Sequence, residues 1–433
     1  MLNIKNLMAY IGLSNHMKSS LSQVLKMELQ QNGRRNPKKA QSTVGHCLDR
    51  LVWIAVVMML WVCKVDLHAQ PEIRVDVLLN AQSDASFWMH PRIGMVPHDQ
   101  GHSMAVMTLQ ETDREGTHMY HGLTTMVWDS RDKKWSSPQQ DSALARRRDA
   151  QGLIEVFVDA TPSWHSKTRK MLLTGATFWL DPQIKKHLPD GGSDVSYSQL
   201  DHQHLAWSPW SKLELPSEPK FHFARAGCTQ RVDLADGDIL LPIYFGGKGN
   251  DSRHKAAVAR CRFDGNVLSY LEHGNELSIE VARGFVEPSL CLFQGRYLLT
   301  LRNDLKPYVA WSMDGLHFSK PQVWRFDDGS ELESYNTQQH WLVLPDACYL
   351  LYTRRGLDND DIFRLRSPLM MSRVDSTTLQ LMKSTEREVL PKLKDGFGNF
   401  GVCHVSEDET WVTAGRRRAK PGEGSVYRAR ILW

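Results

Sequence analysis

Polar residues with catalytic potential recur in this chain at matching places, each at one end of a short apolar run. Arg92 stands in "HPRIGMVP", Arg225 and Gln230 in "RAGCTQR", and Glu287 in "VEPS". Asn336, Gln338 and His340 stand in "YNTQQH", and Asn399 in "FGNFG". Glu111 and Asp113 follow another run in "QETD", as do Arg302 and Asn303 in "LRND" and Arg354 and Arg355 in "YTRRGLDND". An apolar residue would end a strand equally well, so polar groups here carry information. Converging guanidiniums suit an anion, because the planar fork pairs with a carboxylate through two parallel N–H bonds. A sugar bearing a carboxyl group is the ligand such a set fits. Glu287 beside it can orient a nucleophile or act as base. Glu111 or Asp113 can serve as general acid once partial burial raises its pKa. His340, His102 and His121 are the alternative proton carriers.

These residues meet only if the elements that carry them are arranged around one point. Four segments share a plan of apolar strand, Gly- or Asp-containing turn and second apolar strand: "TQRVDLADGDILLPIYF", "EPSLCLFQGRYLLTLR", "QQHWLVLPDACYLLYTRR" and "FGVCHVSEDETWVTAGR". Two less regular hairpins turn near Gly101 and Ser166, which makes six units between Gln70 and Trp433. Strand-rich units of about 40–60 residues, each too small to bury its own faces, are the mark of a β-propeller. No long window has helical periodicity. The expected fold is therefore all-β, a six-bladed propeller, with seven- or five-bladed closure as alternatives. In such a fold the first strand of every blade lines the channel. Residues just before first strands and just after second strands then ring one pocket, and those are the places of the polar groups above.

The stretch "YVAWSMDGLHFSKPQVW" reads as strand, turn and strand, at the outer edge of one blade. Ser312, Asp314, Gly315 and Phe318 predict a turn that folds back on itself, with Asp314 accepting backbone N–H groups and Phe318 filling the space beneath. The turn resembles the Asp box, or BNR repeat, of the sialidase (neuraminidase) superfamily, Ser-x-Asp-x-Gly-x-x-Trp. It is one residue shorter and has Phe318 for the tryptophan, and weaker echoes occur in "TMVWDSRDKKWSSP" and "LAWSPWSKLELP". "PRIG" is similar to the family's Arg-Ile-Pro motif, with Gly94 for the proline, and the run from Glu287 to Arg302 resembles another family stretch.

The resemblance implies that Arg92 and Arg302 bind the substrate carboxylate, with Arg354 or Arg355 as third arginine. It further implies that Glu287 assists a nucleophile and that Asp113 is the acid/base. The family's nucleophile is a tyrosine following the third arginine. Only Tyr427 in "GSVYRARILW" follows Arg355, and that stretch also reads as the closing strand. The implied activity is that of a secreted exo-α-sialidase-like glycoside hydrolase acting on terminal acidic sugars. The residues leave two alternatives open. One is a propeller hydrolase or lyase acting on uronate- or rhamnose-containing polysaccharide, and the other is a propeller that binds glycans without cleaving them. No motif calls for a cofactor or a metal, although loop carboxylates are compatible with Ca²⁺.

The formal net charge is +4. Lys5, Lys18, Lys26, Arg34, Arg35, Lys38, Lys39 and Arg50 against Glu28 and Asp49 put more than this excess into the first fifty residues. The body is slightly acidic, which argues against a nucleic-acid partner. "LVWIAVVMMLWVC" fits the apolar core of a signal peptide and falls short of the roughly 20 residues a membrane span needs. Ala69 in "LHA" suits cleavage before Gln70. Residues 1–69 are thus expected to be a basic leader and signal peptide, and 70–433 a single propeller domain, secreted or periplasmic. The long stretch ahead of Leu51 fits a start codon assigned too far upstream, and a membrane would be met only through an uncleaved signal segment. Cys228, Cys261, Cys291, Cys348 and Cys403 are odd in number and scattered, as expected of buried small hydrophobes.

Overall fold

The computed structural model describes residues 70–433 apart from 98–101, 117, 189–190 and 249–252; the expected leader and signal peptide lie outside the described residues. Each apolar hairpin read from the sequence forms the first two strands of an antiparallel sheet, and the strands of the described residues pair into six such sheets. Sheet 1 runs Ser86–Pro97, Ser103–Asp113 and Tyr120–Asp129, with short outer pieces. Sheet 2 is built on Ile154–His165, Lys170–Asp181 and Val195–Asp201. Sheet 3 carries Phe223–Arg225 and Val232–Asp233 on Asp238–Gly246, followed by Lys255–Phe263 and Leu268–His273. Sheet 4 runs Val286–Phe293, Arg296–Arg302, Tyr308–Ser312 and Gln322–Val323. Sheet 5 runs His340–Val343, Cys348–Tyr352, Leu369–Arg373 and Arg387–Leu390. Sheet 6 runs Phe397–Ser406, Glu409–Arg416 and Gly424–Leu432.

The outermost strand of sheet 6 comes from the other end of the chain. Glu72–Asn80 pairs antiparallel with Gly424–Leu432, with Val75 opposite Ala429. The stretch "GSVYRARILW" is therefore a third strand, and the N-terminal strand closes the ring over it.

Apolar side chains fill every space between successive sheets. Val106 and Leu123 meet Phe157 and Trp210 between sheets 1 and 2, and Leu172 and Tyr197 meet Ile243 and Phe245 between sheets 2 and 3. Val258 meets Leu299, Trp324 meets Trp341, and Leu351 meets Val412 across the next three interfaces. Met107 and Met126 meet Trp411 and Val426 where sheet 6 returns to sheet 1. No sheet could bury both faces alone, so the ring is the unit that is stable. The architecture is a β-propeller. Among the described residues no helix is long and apolar enough to cross a membrane.

The turn after Tyr308–Ser312 is self-contained. Asp314 Oδ1 accepts from the backbone N–H groups of Leu316 at 2.9 Å and His317 at 2.8 Å, while Ser312 Oγ accepts from Gly315 N at 2.9 Å. Phe318 is buried below, its N–H donating to Asn275 Oδ1 at 2.7 Å. Asp314→Ala is expected to lower stability by about 1 kcal/mol, the worth of a local side-chain acceptor for backbone N–H groups, without changing any activity of the centre. Urea unfolding of the variant checks this, and an unaltered midpoint would show that the turn is held by Phe318 alone.

Candidate functional site

The inner strands of four sheets share one irregularity. Register slips by a bulge between Met89 and Arg92, between Val158 and Thr161, between Val286 and Ser289, and between Phe397 and Phe400. A bulge bends its strand and re-aims the side chains it carries, and bulges concentrate near active sites. His90, Asp159 and Glu287 occupy the same place in three of them, at φ of 54°, 54° and 47°. Holding non-glycine residues there costs of order 1–3 kcal/mol each, so the fold maintains these positions against a local preference.

Three buried arginines from three sheets belong to the centre so made. Arg92 leaves the first bulge, Arg302 ends the second strand of sheet 4, and Arg366 precedes the third strand of sheet 5. Arg92 Nη2 donates to Cys228 Sγ at 3.0 Å and to Gln338 Oε1 at 3.4 Å. Arg302 bridges Glu287 through one guanidinium nitrogen and Asn336 through another. Arg366 Nη1 donates to Asn399 Oδ1 at 3.2 Å, and Asn399 Nδ2 reaches Cys228 Sγ at 2.9 Å. Arg92 Nε and Nη1, Arg302 Nε, Arg366 Nε and Arg225 Nη2 are buried with no acceptor among the described residues. Buried donors are nearly always paired, and a concentration of open guanidinium donors such as this suits an anion.

The electrostatics agree. Burial, with Arg302, Arg364 and Arg417 adding to it against Glu287, pushes Arg366 down to about 9. A guanidinium keeps its proton at neutral pH even so, and the direction follows from burying a cation without a carboxylate partner. Arg302 moves the other way: burial opposes its charge, but Glu287 outweighs burial and raises it.

Beside the arginines lies a second group. His90 Nδ1 stands 3.0 Å from Asp159 Oδ1, and the His90 ring lies 5.3 Å from that of Tyr120. Burial holds His90 down to about 4, against the pull of Asp159. Burial alone would raise Asp159, yet His90, Arg92, Cys228 and Arg225 bring it down to about 2. Near neutral pH the pair is thus a neutral imidazole against a carboxylate, the state in which a histidine can take a proton. Burial keeps Tyr120 protonated far above its ordinary range.

Asp113 and Glu111 lie at the end of the second strand of sheet 1, one residue either side of Thr112, which pairs with Tyr120. Asp113 Oδ1 is 2.7 Å from His121 Nε2, and Glu111 bonds Ser86 Oγ while lying 4.0 Å from His121 Nδ1. Both carboxylates are partly exposed.

The other expected residues fall into two groups. Gln338 joins Arg92 to the Phe400 carbonyl, and Arg225 stacks on Phe178 and Phe223 while bonding Ser193 Oγ, so both stay with the centre. Gln230 instead ties sheets together: it donates to the Trp341 carbonyl at 2.8 Å and accepts from Trp341 N and Ser289 Oγ. His340 is sealed between Ser289 Oγ at 3.0 Å and the Phe400 ring at 5.2 Å, where burial and then Arg92 hold it down to about 3. Arg354 is taken up bidentately by Glu386 at 2.6 Å for each bond, and Arg355 is exposed over Tyr335. Neither joins the buried arginines, whereas Arg366 does. Tyr427 packs on Phe397 at 5.6 Å within the apolar layer between sheets 5 and 6, and no bond joins it to Glu287 or to the arginines.

The buried state of His340 makes stability fall in acid. The unfolded chain binds the proton below about pH 6.5 and the folded chain only near 3, so stability is present above 6.5 and is lost as pH falls towards 3. The loss from this one group is about 3 kcal/mol at pH 4. Urea melts between pH 7 and pH 4 are expected to fall more steeply for the wild type than for His340→Gln, and equal slopes would contradict the assignment.

Arg366, His90, Asp159 and Cys228 escaped the sequence reading. A signal existed for two of them. In "HPR", "DAT" and "EPS", His90, Asp159 and Glu287 stand seven, six and six residues before the ends of their strands, so Glu287 could have pointed to the other two. Cys228 departs from the expected apolar setting, since Arg92 and Asn399 both point donors at its sulfur. The remaining cysteines are free, and no group of three or more potential metal ligands occurs among the described residues.

No family model matches the chain, and no curated protein matches it in sequence. Solved structures do match in fold. A protein of unknown function from Dyadobacter fermentans superposes with TM-score 0.59 at 14% identity, over 83% of this chain and 99% of that one. Trypanosoma rangeli sialidase gives 0.55 at 14% identity, over 83% of this chain, and this chain spans only 59% of its length. A leech intramolecular trans-sialidase complexed with 2,7-anhydro-Neu5Ac gives 0.53 at 11%, over 82% of this chain and 70% of that one. At these identities the likeness is one of fold, a β-propeller like those of the sialidases it superposes on.

Proposed function

We propose that this chain is a sialidase-like glycoside hydrolase that holds a terminal acidic sugar by its carboxylate between Arg92, Arg302 and Arg366. The observation that carries the reading is the set of buried guanidinium N–H groups, from three different sheets, left without an acceptor. A carboxylate placed there takes up two or three charge-assisted bonds and removes the cost of burying the cations unpaired. Glu287, fixed by Arg302, is the carboxylate nearest to them in the bonding network. In this reading Asp113, paired with His121, is the acid that protonates the departing glycosidic oxygen. The bound structural relatives support the substrate class, since Trypanosoma rangeli sialidase has been solved in complex with sialic acid. Secretion or periplasmic location is part of the same proposal and rests on the apolar stretch Leu51 to Cys63.

One observation favours a second reading. Among the described residues no tyrosine bonds Glu287, whereas His90, neutral and 3.0 Å from Asp159, lies beside Tyr120. That trio suits elimination on a uronate. The arginines neutralise the carboxylate, His90 takes the proton from C5, the C4–O bond breaks to leave a C4=C5 double bond, and Tyr120 gives the leaving oxygen its proton. The full chain should be assayed for release of 4-methylumbelliferone from its α-sialoside, and in parallel for ultraviolet absorbance of unsaturated uronate from polygalacturonate and glycosaminoglycans. Turnover of the sialoside that is lost in Arg366→Met and Asp113→Asn supports hydrolysis. Unsaturated product that is lost in His90→Ala supports elimination. Silence in both assays from the folded protein overturns both enzymatic readings.

A further inference from the structure

Outside the buried arginines stand two more that have no carboxylate. Phe363 is half exposed, and the guanidinium of Arg417 lies 4.1 Å from its ring centre while that of Arg364 lies 5.0 Å away. Neither side chain makes an ion pair or a side-chain hydrogen bond among the described residues. Their neighbours in sequence and space behave otherwise. Arg416 holds Asp395 and Glu423, Arg354 holds Glu386, and Arg283 holds Asp304. A shortage of acidic residues is therefore not the reason that Arg364 and Arg417 go unpaired.

Both arginines are fixed at the mouth of the same centre. Arg364 precedes Arg366 by two residues in a tight turn where Arg364 and Leu365 take φ of 54° and 53°. The Arg366 carbonyl accepts from Phe397 N at 2.9 Å and the Gly396 carbonyl accepts from Arg417 N at 3.0 Å, so the two segments are pinned to one short stretch of chain. Asn359 Nδ2 anchors the turn from below, on the carbonyls of Arg354 and Ser367. Burial lowers both cations, and so does the field of Arg302 on Arg364 and of Arg364 on Arg417. Two like charges held together over an aromatic face, with no counter-ion, leave a place that an anion would relieve.

We propose that Arg364 and Arg417 form a second anion site, so that the preferred ligand is an acidic oligosaccharide whose neighbouring sugar also carries a carboxylate. The inference rests on the reading that the buried arginines hold one acidic sugar. It narrows the substrate from a single acidic sugar on a neutral glycan to consecutive acidic sugars. The first carboxylate enters among Arg92, Arg302 and Arg366, and the second lies between the rim guanidiniums, its ring against Phe363.

Calorimetric titration of the full chain tests this with defined probes: N-acetylneuraminic acid, sialyllactose and disialic acid, and galacturonic acid beside digalacturonic acid. In whichever series binds, the doubly acidic probe should bind about tenfold more tightly at low salt than the singly acidic one, in keeping with two partly shielded charge-assisted contacts. Arg364→Ala/Arg417→Ala should remove that gain and leave binding of the singly acidic probe unchanged. Arg366→Met should weaken both. Equal binding of the two probes by the wild type, or a gain that survives the double substitution, overturns the second site while leaving the first reading intact. Failure of every acidic probe to bind the folded wild type overturns the first reading and this inference with it.

Discussion

Arg366→Met is expected to weaken binding of an acidic sugar about 100-fold and, in the same protein, to leave unfolding stability unchanged or raise it by about 1–2 kcal/mol. The two effects have opposite signs for one reason. Arg366 is buried, makes one hydrogen bond, to Asn399, and has no carboxylate partner. Its Nε is without an acceptor, and burial with neighbouring arginines lowers its pKa to about 9. Desolvating a cation without pairing it opposes folding, so an apolar residue of similar length removes a penalty. A ligand carboxylate meets the same unpaired charge as an attractive site, and in a low-dielectric centre such a contact is worth several kcal/mol. Thermal or urea unfolding and calorimetry on the same preparation read both quantities. A variant that lost stability and kept binding would make Arg366 a structural residue. The third arginine would then have to be sought at the rim.

The hairpins were legible because strand and turn signals are local: apolar runs about a strand long, broken at Gly237, Gly295, Asp346 and Asp408, need no distant partner to be recognised. The turn at Asp314 was legible for the same reason, since the residues it bonds lie within three positions of it. Pairings across long separations were not. The N-terminal strand Glu72–Asn80 has its partner at Gly424–Leu432, and nothing in either run names the other. Arg354 looked free because the residue that neutralises it, Glu386, lies 32 positions away. Arg366 lies three residues ahead of a third strand, outside the two strand ends that propeller geometry turns towards the channel. His90 and Asp159 sit inside strands, at bulges, and a bulge is a statement about register between two strands rather than about either composition. The polar residues of the centre were thus found where position alone brings them inward, and missed where an irregularity does so.

The pair Glu287–Arg302 should behave as a unit. Replacing either partner alone, as Glu287→Gln or Arg302→Met, is expected to cost about 3–5 kcal/mol of stability, because each leaves the other buried without its counter-charge. The double variant should cost less than the sum of the singles, with a coupling energy of about 2 kcal/mol or more in a double-mutant cycle. Both side chains are nearly excluded from solvent, at 10% exposure for Glu287 and 3% for Arg302, and Asn336 satisfies one further guanidinium nitrogen. The pair also sits on a strained element, since Glu287 is held at a φ of 47° within its bulge. Fold stability and site geometry therefore converge on one interaction. Acidic-sugar binding separates the two roles: it should fall in every variant that lacks Arg302, the double included, whereas stability should recover in the double. Binding that returned together with stability in the double variant would show that Arg302 only holds Glu287, and would leave Arg92 and Arg366 as the arginines that meet the ligand.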